Sequence, residues 1–488
     1  MYCTRMATLP SPTHHVTTER WTTGTWAALM LLCGVLFMDG LDVSMVGVAL
    51  PSIRKDLGLS TAQLQWVVSG YVLGYGGLLL LGGRAADLLG RRRVLIVGLS
   101  VFTVASLLGG LVSDANLLIG TRFLKGASAA FTAPAGLSYI TTTFAEGPVR
   151  NKALSVYTAF GASGFSSGLI LGGLLTQAGW RFTFLLPVPF ALLILTLAPR
   201  LLAKDPPSEP VRGGFDVAGA VTITAGMLLL VRTVVRAPGA GWTSATTIVS
   251  FAIAVALLTA FVTIEKRTRR PLVRLGILSA GHIRRANFGA MATAGSYFGF
   301  QFVATLYLQS VLGWSALETA LAFLPAGLLV AFGSTRVGPL VDRFGTAPLM
   351  AIAFVSFAAG YALFLRADMN PSYVLVILPT MLLLGVGFAL GFPSFNMQGT
   401  MGVADHEQGL ASGLINTSFQ VGGAITLAVV SAVIGNGTAS GADAQAFLSN
   451  SHTAVGVVTG VAALGLVSAL SGLTLRRRYE PAVERLGA

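Results

Sequence analysis

Apolar stretches of about 20 residues recur from Trp26 to Leu475, each long enough to cross a hydrocarbon core of about 30 Å. A bilayer offers backbone N–H and C=O groups no water, so a crossing segment must bond internally as a helix or join a closed barrel. The alternating ten-residue strands of a barrel are absent. Charged residues make up 10% of the 488, against about 25% in a soluble domain, too few to cover a water-facing globule. The chain reads as an all-α polytopic membrane protein.

The stretches predict about fourteen spans, near 26–49, 62–82, 94–112, 115–139, 153–176, 180–199, 215–234, 246–264, 287–311, 317–339, 348–366, 372–394, 409–434 and 453–475. Lys and Arg fall mainly in alternate connections: Arg84 and Arg91 to Arg93, Arg150 and Lys152, Arg200 and Lys204, Lys266 to Arg285, Arg336 and Arg343, and Arg476 to Arg478. The other side holds few: Arg54, Lys55, Arg181, Arg232, Arg236 and Arg366. This bias sets both termini in the cytoplasm, and the plasma (inner) membrane is the expected location. The net charge of +13 is thereby read as topology, with no nucleic-acid partner. The polar tail 1–25 is no signal peptide, because the apolar segment after it is too long and is interrupted by Asp39 and Asp42.

Several functions are excluded. Cys3 and Cys33 make no disulfide framework, and His14, His15, His282, His406 and His452 lack metal-ligand spacing. With no His cluster and no P-loop lysine, the chain reads as neither an enzyme nor an ATP-driven pump, and it needs no cofactor or metal. The connection 200–214, with Pro206, Pro207 and Pro210, reads as a linker. The basic connection 265–286 lies along the inner surface, as a topology signal or a regulatory segment. Asn436 begins a glycosylation sequon on an outer loop.

Two loops repeat one pattern. Gly83, Asp87 and Gly90 read G-x-x-x-D-x-x-G, as do Gly338, Asp342 and Gly345, each after an even-numbered span. Two bundles rocking about a central site produce such duplication. A six-span repeat leaves spans seven and eight as an insert. The domains are then a tail at 1–25, a bundle at 26–199, a linker with two extra spans at 200–286, a second bundle at 287–475 and a tail at 476–488.

Several segments carry a family likeness. They are LDVSMVGVALP at 41–51, QWVVSGYVL at 65–73, GGRAADLLGRRRVL at 82–95, RFLKGASAAFTAPAG at 122–136, GFSSGLILGGLL at 164–175 and GLASGLINTSFQVGGA at 409–424. The chain resembles the major facilitator superfamily, in its fourteen-span drug:proton antiporter branch. Lys125 replaces a usual Gln, and Leu169 stands where the antiporter motif carries Pro. The resemblance implies two six-span halves, spans 1–6 and 9–14, around a central cavity, and alternating access driven by inward proton flow. It implies export of lipophilic, typically cationic, drugs or secondary metabolites by a monomer. Uptake or exchange of a narrow metabolite on the same fold is the alternative.

Asp39 and Asp42 lie three apart, on about one face of span one. A carboxylate inside a bilayer is expensive and faces a cavity or a partner. Desolvation and a like charge nearby both favour the protonated acid, which suits proton coupling. The alternative is a structural ion pair between spans one and four. Arg122 and Lys125 are likewise three apart, and Asp39 with Lys125 reads as a paired addition to the usual acid and base.

Asp87 with Arg91 suits an inner gate, and Asp342 with Arg343 a weaker counterpart. Gly164, Gly168, Gly172 and Gly173 put a groove on span five, for packing or for limiting leak during antiport; Gly422 and Gly423 mirror it in span thirteen. Trp66, Tyr71, Tyr297 and Tyr307 either line the cavity or pack and anchor. Gln301, Gln309 and Asn396 are polar cavity candidates, and Glu318 is solvated at the outer start of span ten.

Overall fold

The computed structural model describes residues 22–59, 61–205, 216–268, 271, 273–369, 371–434 and 444–484. Most of the N-terminal tail, the proline cluster Pro206, Pro207 and Pro210, and the Asn436 sequon lie outside the described residues. Among the described residues there are helices and no strands. In the first half these are α1 (Thr23–Leu57), α2 (Thr61–Leu89), α3 (Arg91–Leu111), α4 (Ala115–Thr143), α5 (Pro148–Ala178) and α6 (Arg181–Leu201). The inserted pair is α7 (Val217–Ala240) and α8 (Ala245–Arg267). The second half holds α9 (Gly281–Leu306), α10 (Leu317–Phe344), α11 (Thr346–Phe364), α12 (Tyr373–Thr400), α13 (Gln408–Ile434) and α14 (Ala444–Glu484). The last helix runs past the end near 475 expected from apolarity.

Local chemistry sets the helix ends. Thr22 caps α1 by accepting from the Thr25 amide, and Gly58 ends it at φ 61°. Asp114 caps α4. Ser315 and Glu318 form a capping box at the start of α10, so Glu318, exposed as expected, also serves the helix end.

Among the described residues, twelve helices are long and apolar enough to cross a membrane. The other two, α4 and α9, fall short of that apolarity. Arg122 and Lys125 lie in α4, and α9 opens on His282, Arg284 and Arg285. Both are packed inside the bundle, where a neighbouring helix can answer a polar group. The outer helices are apolar on their exposed faces, as with Val97, Val101, Val104 and Leu108 on α3 and Ile248, Val249, Ile253 and Val255 on α8. Such faces suit lipid.

The two halves repeat one packing scheme. In the first, α1 packs on α5 and α2 on α4; in the second, α9 packs on α13 and α10 on α12. Glycines permit the close contacts. A Cβ at Gly172 would lie 2.8 Å from Met45 Cα, and one at Gly168 2.9 Å from Leu41 Cα. Gly164 abuts the Phe37 backbone, and Gly40 answers from α1, with its Cβ position 2.9 Å from Phe165 N. In the second half Gly422 lies against Met291 of α9 in the same way. Gly173 does not share the groove: its nearest neighbour is Leu317 Cδ1 of α10, 3.9 Å from a Cβ position. Helices α7 and α8 pack together, and α7 rests on α2 and α13, covering a seam between the halves.

Gly168→Leu should wedge α1 from α5 and lower stability by about 1–3 kcal/mol or more. Gly173→Leu should be close to neutral. Thermal unfolding of the purified variants checks the contrast, and equal losses would contradict the groove.

Candidate functional site

The first half buries an acid–base cluster. Asp42 and Lys125 are fully buried, Arg122 is 2% exposed and Asp39 7%. Asp42 Oδ2 accepts from Arg122 Nη1 at 2.6 Å, and Lys125 Nζ donates to Oδ1 of the same carboxylate. Arg122 Nε donates to the Val67 carbonyl of α2 at 3.0 Å, and its guanidinium lies 4.8 Å from the Tyr71 ring centre. Lys125 Nζ also faces the rings of Phe102 and Phe184, at 4.8 and 5.1 Å. One acid thus joins two cations and three helices.

The pairing of Asp39 with Lys125 expected from the sequence is not what forms. Lys125 bonds Asp42, the acid already turned toward α4 by Arg122. Asp39 sits a turn earlier, within electrostatic reach of Tyr71 and Tyr75 of α2 and Tyr157 of α5. Its Oδ2 has no hydrogen-bond partner.

The second half answers with aromatic surface. Among its described residues no charged side chain is buried. Tyr297 lies tilted against Phe388 at 4.6 Å, and Phe298, Phe392 and Phe395 surround Phe419 at 5.7, 5.3 and 5.9 Å. Phe165 of α5 reaches Phe298 across the halves at 6.3 Å. A small cleft between α5, α9 and α10 is lined by Phe165, Ser166, Tyr297, Gln301, Phe323 and Gly327. Tyr297 and Gln301 therefore reach a cleft. Tyr71 is buried against Arg122 instead, Trp66 lies under Arg236 of α7 at 5.7 Å, and Asn396 is buried with its amide on the Phe392 carbonyl at 2.8 Å. The phenylalanines escaped sequence reasoning because the chain has 28 of them and no spacing singles these out.

A second group of residues ties the halves together at one end. Asp87, at the end of α2, accepts from the Gly409 and Leu410 amides at the start of α13, both at 3.0 Å. A carboxylate there satisfies free N–H groups and meets the positive end of the helix dipole. Gly83 allows the approach, its Cβ position lying 3.2 Å from Gly413 Cα. Arg91 holds Asp87 at 3.4 Å, bonds Ser138 and Thr142 of α4 at 2.7 and 3.2 Å, and donates to the Asp405 carbonyl.

The second loop mirrors the first more thinly. Asp342 accepts from the Asn151 side-chain amide near the start of α5 at 2.6 Å, and the Gly338 Cβ position lies 3.1 Å from the Asn151 backbone. Arg343 lies beside the Phe344 ring at 5.2 Å. Each motif thus docks on the fifth helix of the other half. Glu146 adds a bond to the Gly402 amide at 3.0 Å.

One contributor was hidden in the linker. Asp205 accepts from the Arg92 and Arg93 amides, both at 3.0 Å, and so caps α3 from a distance. Gly90, at φ 98°, lies directly under that carboxylate, with 2.8 Å from its Cβ position to Asp205 Cβ.

The fold, the repeated contact between the halves and the buried charges define a two-half membrane transporter. The model of the Major Facilitator Superfamily matches residues 32–427, and the chain belongs to that family. It is a transporter and not an enzyme. It is 37% identical over 454 residues to the cephamycin export protein CmcT of Amycolatopsis lactamdurans, across 92% of this chain and 93% of the relative. It is 37% identical to the puromycin resistance protein pur8 of Streptomyces alboniger, across 85% and 83%. The solved human organic anion transporter MFSD10 shares the fold, with a TM-score of 0.65 at 14% identity, over 91% of this chain and 98% of that one.

Asp87→Ala should loosen the gate more than Asp342→Ala, because it removes two amide contacts and an ion pair. Thiol labelling of Leu79→Cys, fully buried in this structure, checks this in a Cys3→Ser, Cys33→Ala background. Labelling should rise more with Asp87→Ala, and equal or reversed effects would contradict the ranking.

Proposed function

We propose that the protein is a proton-coupled exporter of lipophilic small molecules, working by alternating access as a monomer in the cell (inner) membrane. All fourteen helices, α4 and α9 among them, then cross the bilayer, with both termini cytoplasmic, as the Lys and Arg bias favours. In that orientation the bonds of Asp87, Arg91 and Asp342 hold the cytoplasmic end shut. Breaking them, while the halves close at the outer end, gives the second access state. Two complete halves within one chain support a monomer.

One observation carries the coupling: four ionisable side chains are buried together in one half, while no charged side chain is buried among the described residues of the other. Intramembrane charges of this kind mark proton or substrate pathways. Export is supported by the full-length likeness to an export protein and a resistance protein, each named for one antibiotic. Both oxygens of Asp42 are engaged by protein cations. A lipophilic substrate, including a cationic one, is therefore held mainly by ring faces such as Phe298 and Tyr297.

Acidified everted vesicles test this, with a panel of lipophilic compounds that includes a cephamycin and puromycin. A transported compound should accumulate and evoke proton release from the lumen. Accumulation that survives collapse of the gradient, without proton movement, would sink the coupling. Failure of every compound to accumulate would sink the export reading.

A further inference from the structure

We propose that Asp39 carries the coupling proton, while Asp42 stays ionised as the shared counter-ion of Arg122 and Lys125. The inference deepens the proton-coupled reading and rests on it.

The hydrogen bonds separate the two acids. Asp42 has a cation on each oxygen, at zero exposure. A proton arriving there would strip the counter-ion from two buried cations at once, and an unpaired buried charge is strongly destabilising. Arg122 cannot shed its charge instead, since a guanidinium is not deprotonated in proteins. Apart from Asp42, Lys125 Nζ faces the rings of Phe102 and Phe184.

Asp39 is placed differently. It is more than nine-tenths buried, and its Oδ2 has no hydrogen-bond partner, so an oxygen stands open to a proton. The titratable groups in its electrostatic reach are Asp42 on α1, Tyr71 and Tyr75 on α2, Lys125 on α4 and Tyr157 on α5, with Arg122 beyond Asp42 and Cys33 beyond Tyr157. Lys125 is the cation among them that acts on Asp39 directly.

The charge count then follows. Asp42, Arg122 and Lys125 sum to one positive charge, and an ionised Asp39 brings the cluster to zero. Protonation forms one O–H bond on Asp39 and restores the surplus positive charge, and both Asp42 ion pairs survive. Release to water on the opposite side breaks that O–H bond and returns the cluster to neutrality. Lys125, a departure from the family's usual Gln, supplies the surplus cation that makes this second acid necessary.

Infrared difference spectroscopy of the purified protein in lipid, stepped between neutral and acidic pH with no ligand, tests the assignment. The wild type should gain a protonated-carboxyl band on acidification. Asp39→Asn should abolish that band and Asp39→Glu should shift it. Asp42→Glu, which keeps a carboxylate for both cations, should leave it unmoved. A band that survives Asp39→Asn, or shifts with Asp42→Glu, would overturn the proposal, as would its absence from the wild type. In the vesicle assay Asp39→Asn should abolish substrate-evoked proton release. If the wild type itself releases none, the coupling reading fails, and the band still decides which acid is protonated.

Discussion

Asp42 sits where three helices meet out of reach of water, and it must satisfy Arg122 and Lys125 together. An aspartate side chain is short, so this sharing demands that α1 and α4 run close. Glycines bring the neighbouring helices close on either side of that pair. Gly164, Gly168 and Gly172 draw α5 onto α1, while the Gly74 and Gly126 Cβ positions lie 2.8 Å from Ala127 N and from the Tyr71 carbonyl carbon between α2 and α4. Arg122 extends the cluster to α2 through the Val67 carbonyl and the Tyr71 ring. Glycine packing and the pairing of buried charges thus lie side by side in the first half.

The contact proposed as a gate uses a different physics. Asp87 joins the halves by capping the first turn of α13, a contact with free amides and a helix dipole. Such a contact is strong when formed and is replaced by water when broken, which suits a two-state closure. Asp342 reaches a side-chain amide of α5 instead. The pseudo-symmetry is therefore geometric, with the stronger bond on one side. Arg91 links Asp87 to α4, the helix that carries Arg122 and Lys125, so the proposed protonation and the proposed gate share a rigid element.

Much of this could be read before the structure. Long helices follow from apolar length, and the paired loop contacts from a repeated motif in the sequence. The buried acids and bases stand out because charge is rare in such a chain. The partner of Lys125 could not be read, because spacing shows which residues share a face and says nothing of how that face is rotated toward its neighbour. The same blindness grouped Gly173 with glycines that point elsewhere. Phe165, Phe298 and Phe419 looked like any other apolar residue. Asp205 lay in a linker, and its cap on α3 comes from the fold alone.

The central claim is that protonation inside the first half governs closure between the halves. Its most direct test is a pulsed electron-spin distance between labels at Gly147, in the α4–α5 loop, and Thr346, at the start of α11, with the protein in lipid. The distance should move between two populations as pH is lowered, and Asp39→Asn should hold it in one of them. A single distance at every pH in the wild type would contradict the account.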